Sequence, residues 1–483
     1  MIINSYQFLA FFIVVFCLYY FILKEKTKAQ NWLLLLTSYV FYGFANWKMI
    51  PLLLLSTVAF YGMGMAISKA SSVKKSSWLT TFGVLLGIGI LLYFKYLNFF
   101  IESFSVLFNA MGLQTNWSTF NIIMPIGVSF FTFKLISYVV EVSRRKIEPC
   151  TDFVAFATFV AFFPTIMAGP IDRPNKFIPQ LRQKRIFNYD QTVDGCRQIM
   201  WGMFKKMVIA DNLALIINNV WSDIHSQTGS NLLLAAIFLS IQFYTDFSGY
   251  SDMAIGVGKI LGFRVTRNFH YPFFTRNMAE FWRNWHMSLT SWVTDYVFMP
   301  LNVKFRNIGN AGIILAIIIN MVVIGLWHGA NWTYGLFGLY NGLLFIPLIL
   351  SGSFNKKSKL KANKFGLPFF SDFLKMIGVF FLFAFGTVIF RANSLGQAFD
   401  YFVGLFSPSI FSSLSILNRS LAYVLFFTIM MFIVEWFQRE KEHGMDLTGI
   451  KNGVLRWCIY ITIIFVTCRF MQTNPSPFIY FQF

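Results

Sequence analysis

Charge is scarce in this chain of 483 residues. Asp, Glu, Lys and Arg make up 12% of it, roughly half of what a soluble domain carries. Acids are scarcest, 20 against 40 Lys and Arg, which leaves a net charge of +20. No DNA- or RNA-binding motif accompanies that excess, so nucleic acid is not the expected partner. The five cysteines are scattered and form no CxxC, which excludes a disulfide framework and a zinc site built on cysteine. The apolar N-terminus lacks a basic n-region and an A-x-A cleavage signal, and reads as a retained first span. There is no P-loop, since Gly258-Lys259 lacks the upstream Gly and the following Ser or Thr. Gly249-Tyr250-Ser251-Asp252-Met253 misses the last Gly of a nucleophile elbow. An HExxH zinc motif is also missing. ATPase, serine-hydrolase and zincin chemistry lose their main support, and neither a bound cofactor nor a metal is expected.

What fills the space is apolar. The chain is 56% hydrophobic and 19% aromatic, with 61 Phe, more than a soluble globule of this size can hide. It reads as an all-α, polytopic membrane protein. With about 20 apolar residues needed per crossing, roughly 11–12 spans are expected. They begin at Tyr6–Leu23, Trp32–Trp47, Pro51–Ile67, Leu79–Leu107 and Phe120–Val142. They continue through Trp201–Trp221, Leu232–Phe247, Ala311–Trp327, Trp332–Leu350, Phe370–Phe390, Leu421–Phe437 and Val454–Cys468. Basic loops such as Lys24–Lys28, Lys69–Lys75 and Arg144–Lys146 fall on one side only if the chain starts outside the cell. Both termini are then outside, in the periplasm of a bacterial inner-membrane protein, with Arg391 and Arg419 as exceptions to the charge rule. Phe153–Ala168 has inside charge at both ends and Pro and Gly at its close, so it reads as re-entrant. Residues 263–310 carry Arg and Lys among apolar stretches too short to span, and read as an interfacial region. No internal repeat or low-complexity linker is visible, and residues 1–483 read as one integral domain.

Five histidines are candidates for chemistry. His225 and His443 sit in polar loops and read as solvated; His270 has no evident partner. His286 lies in FWRNWHMSL (281–289), where helical spacing would set Trp282, Trp285, His286 and Leu289 on one face. A core histidine bonded to a backbone carbonyl is the alternative there. His328 lies in GLWHGANWTY (325–334), between two spans. Ionisable side chains at membrane depth usually face a cavity or pathway. Burial keeps imidazole neutral and able to accept a proton, as a general base must. Asp246 and Asp252, in YTDFSGYSDM (244–253), could orient a base or pair with Arg264 or Arg267. A transporter that moves protons or ions through buried His, Asp and Lys, Lys134 among them, is the rival class. A lipid- or protein-modifying acyltransferase is another.

Six stretches then resemble the membrane-bound O-acyltransferase superfamily, in particular its bacterial AlgI/PatA branch. They are MPIGVSFFTFKLISYVVEVSRR (124–145), FPTIMAGP (163–170), YTDFSGYSDMAIG (244–256), FWRNWHMSL (281–289), GLWHGANWTY (325–334) and VIFR (388–391), in family order. The resemblance implies a helical core around a tunnel through the membrane, with a catalytic histidine pair at His328 and His286. Relatives often carry His where this chain has Thr165. The segment Phe478–Phe483 resembles a tail found in bacterial cell-envelope acyl transfer, whose tyrosine accepts the acyl group. Tyr480 is accordingly an expected acyl relay, with an interfacial aromatic anchor as the alternative. The implied activity takes acetyl from cytoplasmic acetyl-CoA and passes it outward, through a periplasmic partner. The implied acceptor is a cell-envelope polysaccharide, peptidoglycan first and alginate or another exopolysaccharide second.

Overall fold

Long apolar runs leave the backbone few ways to satisfy its N–H and C=O groups in lipid, and the helix does so within one segment. The computed structural model describes residues 1–115, 117–356, 362–364, 366–416, 419–473 and 476–479, the side chains of 419 and 420 aside. Among the described residues the secondary structure is helical, and the extended pairing is an isolated bridge between Ala362 and Pro368. Seven helical stretches among them are long and apolar enough to cross a membrane, and Tyr6–Ile22 and Leu421–Phe437 are shorter apolar helices. One of the seven, Thr27–Ser68, is 42 residues long, about 63 Å if straight and twice a bilayer core. It is interrupted at Asn46, whose backbone is extended and whose side chain caps the turn Trp47–Met49. Thr27–Asn46 and Ile50–Ser68 are therefore separate arms, as the two expected spans require.

Burial varies sharply along these helices. The most apolar window of Gly229–Ile260 is 78% buried, that of Val73–Ala110 11% and that of Gly453–Phe470 6%. Outward Leu, Phe and Trp side chains on the last two would be costly in water, and lipid is the solvent that tolerates them.

The chain groups into two compact units. In the first, Met1–Cys196 with Ala254–Thr266, the helix Val128–Ser143 is buried almost from end to end. Phe153–Ala161 has only nine residues, about 14 Å and too short to cross. The buried turn that follows it carries Thr165. Lys134 is buried and donates to the carbonyl of Phe159 and to Thr165 Oγ1, both at 3.1 Å. Asp172 accepts from the amide and the hydroxyl of Thr266, each at 2.8 Å.

The second unit comprises Arg197–Met253 and Arg267–Phe483. The helix Gly229–Ile260, which belongs to this unit as far as Met253, overruns the expected span Leu232–Phe247, because no proline interrupts residues 244–260. Between Pro272 and Ile308 the longest helical run is Met287–Lys304, in which Met287–Val293, Thr294–Phe298 and Met299–Lys304 follow one another without a break; the others have three to seven residues each. Gly309–His328 and Trp332–Leu343 pack tightly because Gly325 faces the carbonyl of Tyr334 and Gly338 that of Met321, and a Cβ at either would strike that oxygen.

Candidate active site

His328 is the last residue of the helix Gly309–His328. Gly329 ends that helix, and Asn331 starts the next by accepting from the amide of Thr333 at 3.0 Å. The turn is pinned from outside, where Asn331 Nδ2 donates to the carbonyl of Asn393 at 2.8 Å. His328 is thus fixed in backbone position by caps on both sides of it.

His286 arrives differently. The expected single helix over 281–289 does not form: Met278–Asn284 stops, Met287–Val293 starts, and His286 sits between them at φ 43°, ψ 50°. Side chains other than glycine pay for that left-handed conformation, although His tolerates it better than most. The break has a cause in the preceding loop. The amide of Met287 donates to the carbonyl of Asn268 at 2.8 Å, and the amide of His270 donates to the carbonyl of Asn284 at 3.0 Å. Asn268 is fully buried; its Nδ2 donates to Ser251 Oγ at 3.1 Å and its Oδ1 accepts from Ser288 Oγ at 2.6 Å. Tertiary hydrogen bonds outweigh the helical periodicity of the segment.

The two imidazoles come together, ring centroids 6.4 Å apart and planes at 63°. Trp327 lies edge-on to both, at 5.6 Å from His286 and 5.1 Å from His328. Phe247 packs on His286 at 4.6 Å, and Phe390 on His328 at 5.0 Å. His286 is 1% exposed and His328 7%. Burial disfavours the charged ring, and the pKa of His286 falls to about 3. His286 is neutral at physiological pH.

Beside His328 is a cavity of about 30 Å³, room for about two waters. Phe243, Phe247, Trp285, Phe337, Phe383 and Phe390 form most of its wall. Thr387 adds a hydroxyl and Ile479 an aliphatic side chain. Trp282, also in the wall, is fixed by donating to Asn341 Oδ1 at 3.2 Å. A histidine at the edge of an aromatic cavity is suited to taking a proton from a hydroxyl that attacks an acyl carbon. Among the described residues no three His, Cys, Asp or Glu side chains gather as a metal would require.

Other expected residues fall elsewhere. Asp246 and Asp252 pair with Lys206 at 2.7 Å and Lys205 at 2.6 Å, not with Arg264 or Arg267. Lys206 also meets Asp211 at 2.8 Å, and Lys205 lies 3.8 Å from Glu435, which accepts from Tyr244 at 2.8 Å. The lysines reach the acids because Gly202 and Gly249 face each other, and a Cβ on Gly249 would stand 2.8 Å from the carbonyl of Gly202. His443, expected in solvent, is 2% exposed, because its loop folds inward and seats Gly444 against Trp201. His270 does have a partner, Asn284 Oδ1 at 3.2 Å; its pKa is lowered by burial and by the nearby Arg267. His225 is exposed, 3.9 Å from Asp400. Tyr480 lies outside the described residues. Asn268, Thr387, Ile479 and the lysine pair were missed in sequence; only the pair had a signal, two adjacent charges within an apolar run.

Residues 39–383 match the model of the MBOAT, membrane-bound O-acyltransferase, family. The chain is 34% identical to a protein named probable alginate O-acetylase AlgI from Azotobacter vinelandii, with all of both chains covered. It is 28% identical to a peptidoglycan O-acetyltransferase from Helicobacter pylori, over 99% of this chain and 97% of that one. It is 32% identical to a teichoic acid D-alanyltransferase from Streptococcus thermophilus, over 59% of this chain and 72% of that one. With buried acids closed in lysine pairs and His328 at an aromatic cavity with His286 beside it, this multi-pass membrane protein belongs to the membrane-bound O-acyltransferase family and is an acyltransferase.

Proposed function

We propose that the protein transfers acetyl from cytoplasmic acetyl-CoA to the periplasmic side of a bacterial inner membrane, for O-acetylation of a cell-envelope polysaccharide. The observation that carries this reading is the position of His328 in the wall of a small aromatic cavity, with the ring of His286 6.4 Å from its own. The thioester enters a tunnel from the cytoplasm and seats its acyl group in the cavity. His328 takes the proton of an acceptor hydroxyl as that oxygen bonds to the acyl carbon. The C–S bond then breaks, and the CoA thiolate leaves with the proton from His328. His286, held neutral, donates a hydrogen bond to the carbonyl oxygen as negative charge develops on it.

Tyr480 is a first acceptor in this scheme. The reading is supported by Ile479, its neighbour in sequence, which lines the same cavity. A periplasmic partner then carries the group from the tyrosine to the polysaccharide. For the final acceptor, identity to the alginate O-acetylase relative (34%) exceeds that to the peptidoglycan O-acetyltransferase (28%). That difference supports an exopolysaccharide of the alginate kind as the acceptor we propose, ahead of peptidoglycan.

The test supplies radiolabelled acetyl-CoA to the purified protein in nanodiscs, with CoA release and intact mass as readouts. His328→Ala should lower CoA release by about 10²–10⁴-fold. Label on Tyr480 that disappears in His328→Ala supports base and relay together; a Tyr480→Phe variant with unchanged transfer to the polysaccharide removes the relay. CoA release that survives in His328→Ala sinks the assigned base.

A further inference from the structure

The cavity beside His328 is closed in part by a segment far along the chain. Residues 476–479 are held at three points. The amide of Ile479 donates to Asp246 Oδ2 at 3.0 Å, Lys206 Nζ donates to the carbonyl of Ser476 at 3.4 Å, and Phe478 stacks on Tyr250 at 4.7 Å. The buried lysine–acid cluster thus does more than neutralise itself: one carboxylate carries a backbone amide as well. Ile479 is 5% exposed, and it is the one aliphatic side chain among the described residues that line the cavity. The aromatic walls interlock with one another, as Phe383 does with Phe281 and Trp285 at 4.6 Å each. Ile479 adds to that wall a branched aliphatic side chain, stiff about χ1.

We infer that Ile479 is the residue that limits the length of the acyl group, by closing the cavity behind the acyl carbon. The inference rests on the donor reading above, in which an acyl-CoA places its acyl group beside His328. An added methylene in an apolar site that cannot yield changes discrimination by about 10–200-fold. Removing the Ile479 side chain beyond Cβ opens space for such carbons, while Asp246 still holds the segment through its backbone amide.

The experiment measures CoA release from acetyl-, propionyl- and butyryl-CoA in membranes carrying the full chain, for the wild type, Ile479→Ala and Ile479→Val. The expected result is a butyryl-to-acetyl ratio of kcat/KM raised about tenfold or more in Ile479→Ala, with Ile479→Val shifting the propionyl-to-acetyl ratio by less. A ratio is read because a loss of folding or of tail seating lowers all three donors together and leaves it unchanged. Wild type active on acetyl-CoA, with the ratios unmoved in both variants, overturns this inference alone. Wild type inactive on all three donors overturns the donor reading and this inference with it.

Discussion

The carbonyl of Asn268 accepts from the amide of Met287 at 2.8 Å, one residue beyond His286. The side chain of the same asparagine binds Ser288 on one side and Ser251 on the other. It therefore ties the left-handed turn of His286 to the buried helix Gly229–Ile260.

Asn268→Leu should act on both stability and rate. It leaves two buried hydroxyls without this partner, a cost of about 1–3 kcal/mol for an unsatisfied group. It also loosens the turn by removing the tie through Ser288 while the backbone bond to Met287 remains, so CoA release should fall by about 10-fold. Melting in detergent and acyl-CoA kinetics measure the two effects; wild-type kinetics in Asn268→Leu would show that the turn holds without it.

His286 gives the protein an acid-side liability. Its folded pKa of about 3 lies below the ordinary value of 6.5, so the unfolded chain binds the proton first. Stability from this group is complete above pH 6.5 and is lost as pH falls toward 3. His286→Asn, which tolerates the left-handed turn, should flatten that slope. Melting curves between pH 4 and 7 compare the two proteins, and parallel slopes would contradict the assignment.

Lys206→Met should be among the more damaging single changes away from the histidines. It strips the cation from Asp211 and Asp246, and an uncompensated buried charge costs about 3–5 kcal/mol. Adding Asp246→Asn should recover part of the loss, since the amide oxygen can still accept from Ile479. The yield of monodisperse protein and its melting temperature report the order wild type, double variant, single variant.

Gly325→Ala tests the contact that sets His328. The new methyl strikes the carbonyl of Tyr334, and overpacking of this kind costs about 1–3 kcal/mol. Activity should drop together with thermal stability, whereas Gly378→Ala, where a Cβ meets nothing within 4 Å, should change neither.

The helical class could be read from the sequence, and both histidines drew notice there, for physical reasons. Apolar run length reports crossing directly, and a lone histidine between two such runs stands out against its surroundings. The turn at His286 was hidden, because FWRNWHMSL satisfies helical periodicity and its breaker, Asn268, lies in another segment. The partners of Asp246 and Asp252 were hidden for a related reason. Arginines close in sequence looked available, while the lysines come from a helical segment about 40 residues upstream, brought in by the Gly202–Gly249 contact. His443 misled because a polar loop can fold inward when a glycine lets it seat against a ring.

The seating of Ile479 has a consequence for biogenesis. The residue that completes the cavity is synthesised 151 positions after His328, the difference between 479 and 328. A nascent chain has both histidines in place before that wall exists. The aromatic wall is itself complete only once Phe390 is made, and it lacks its Ile479 face until the chain reaches residue 479.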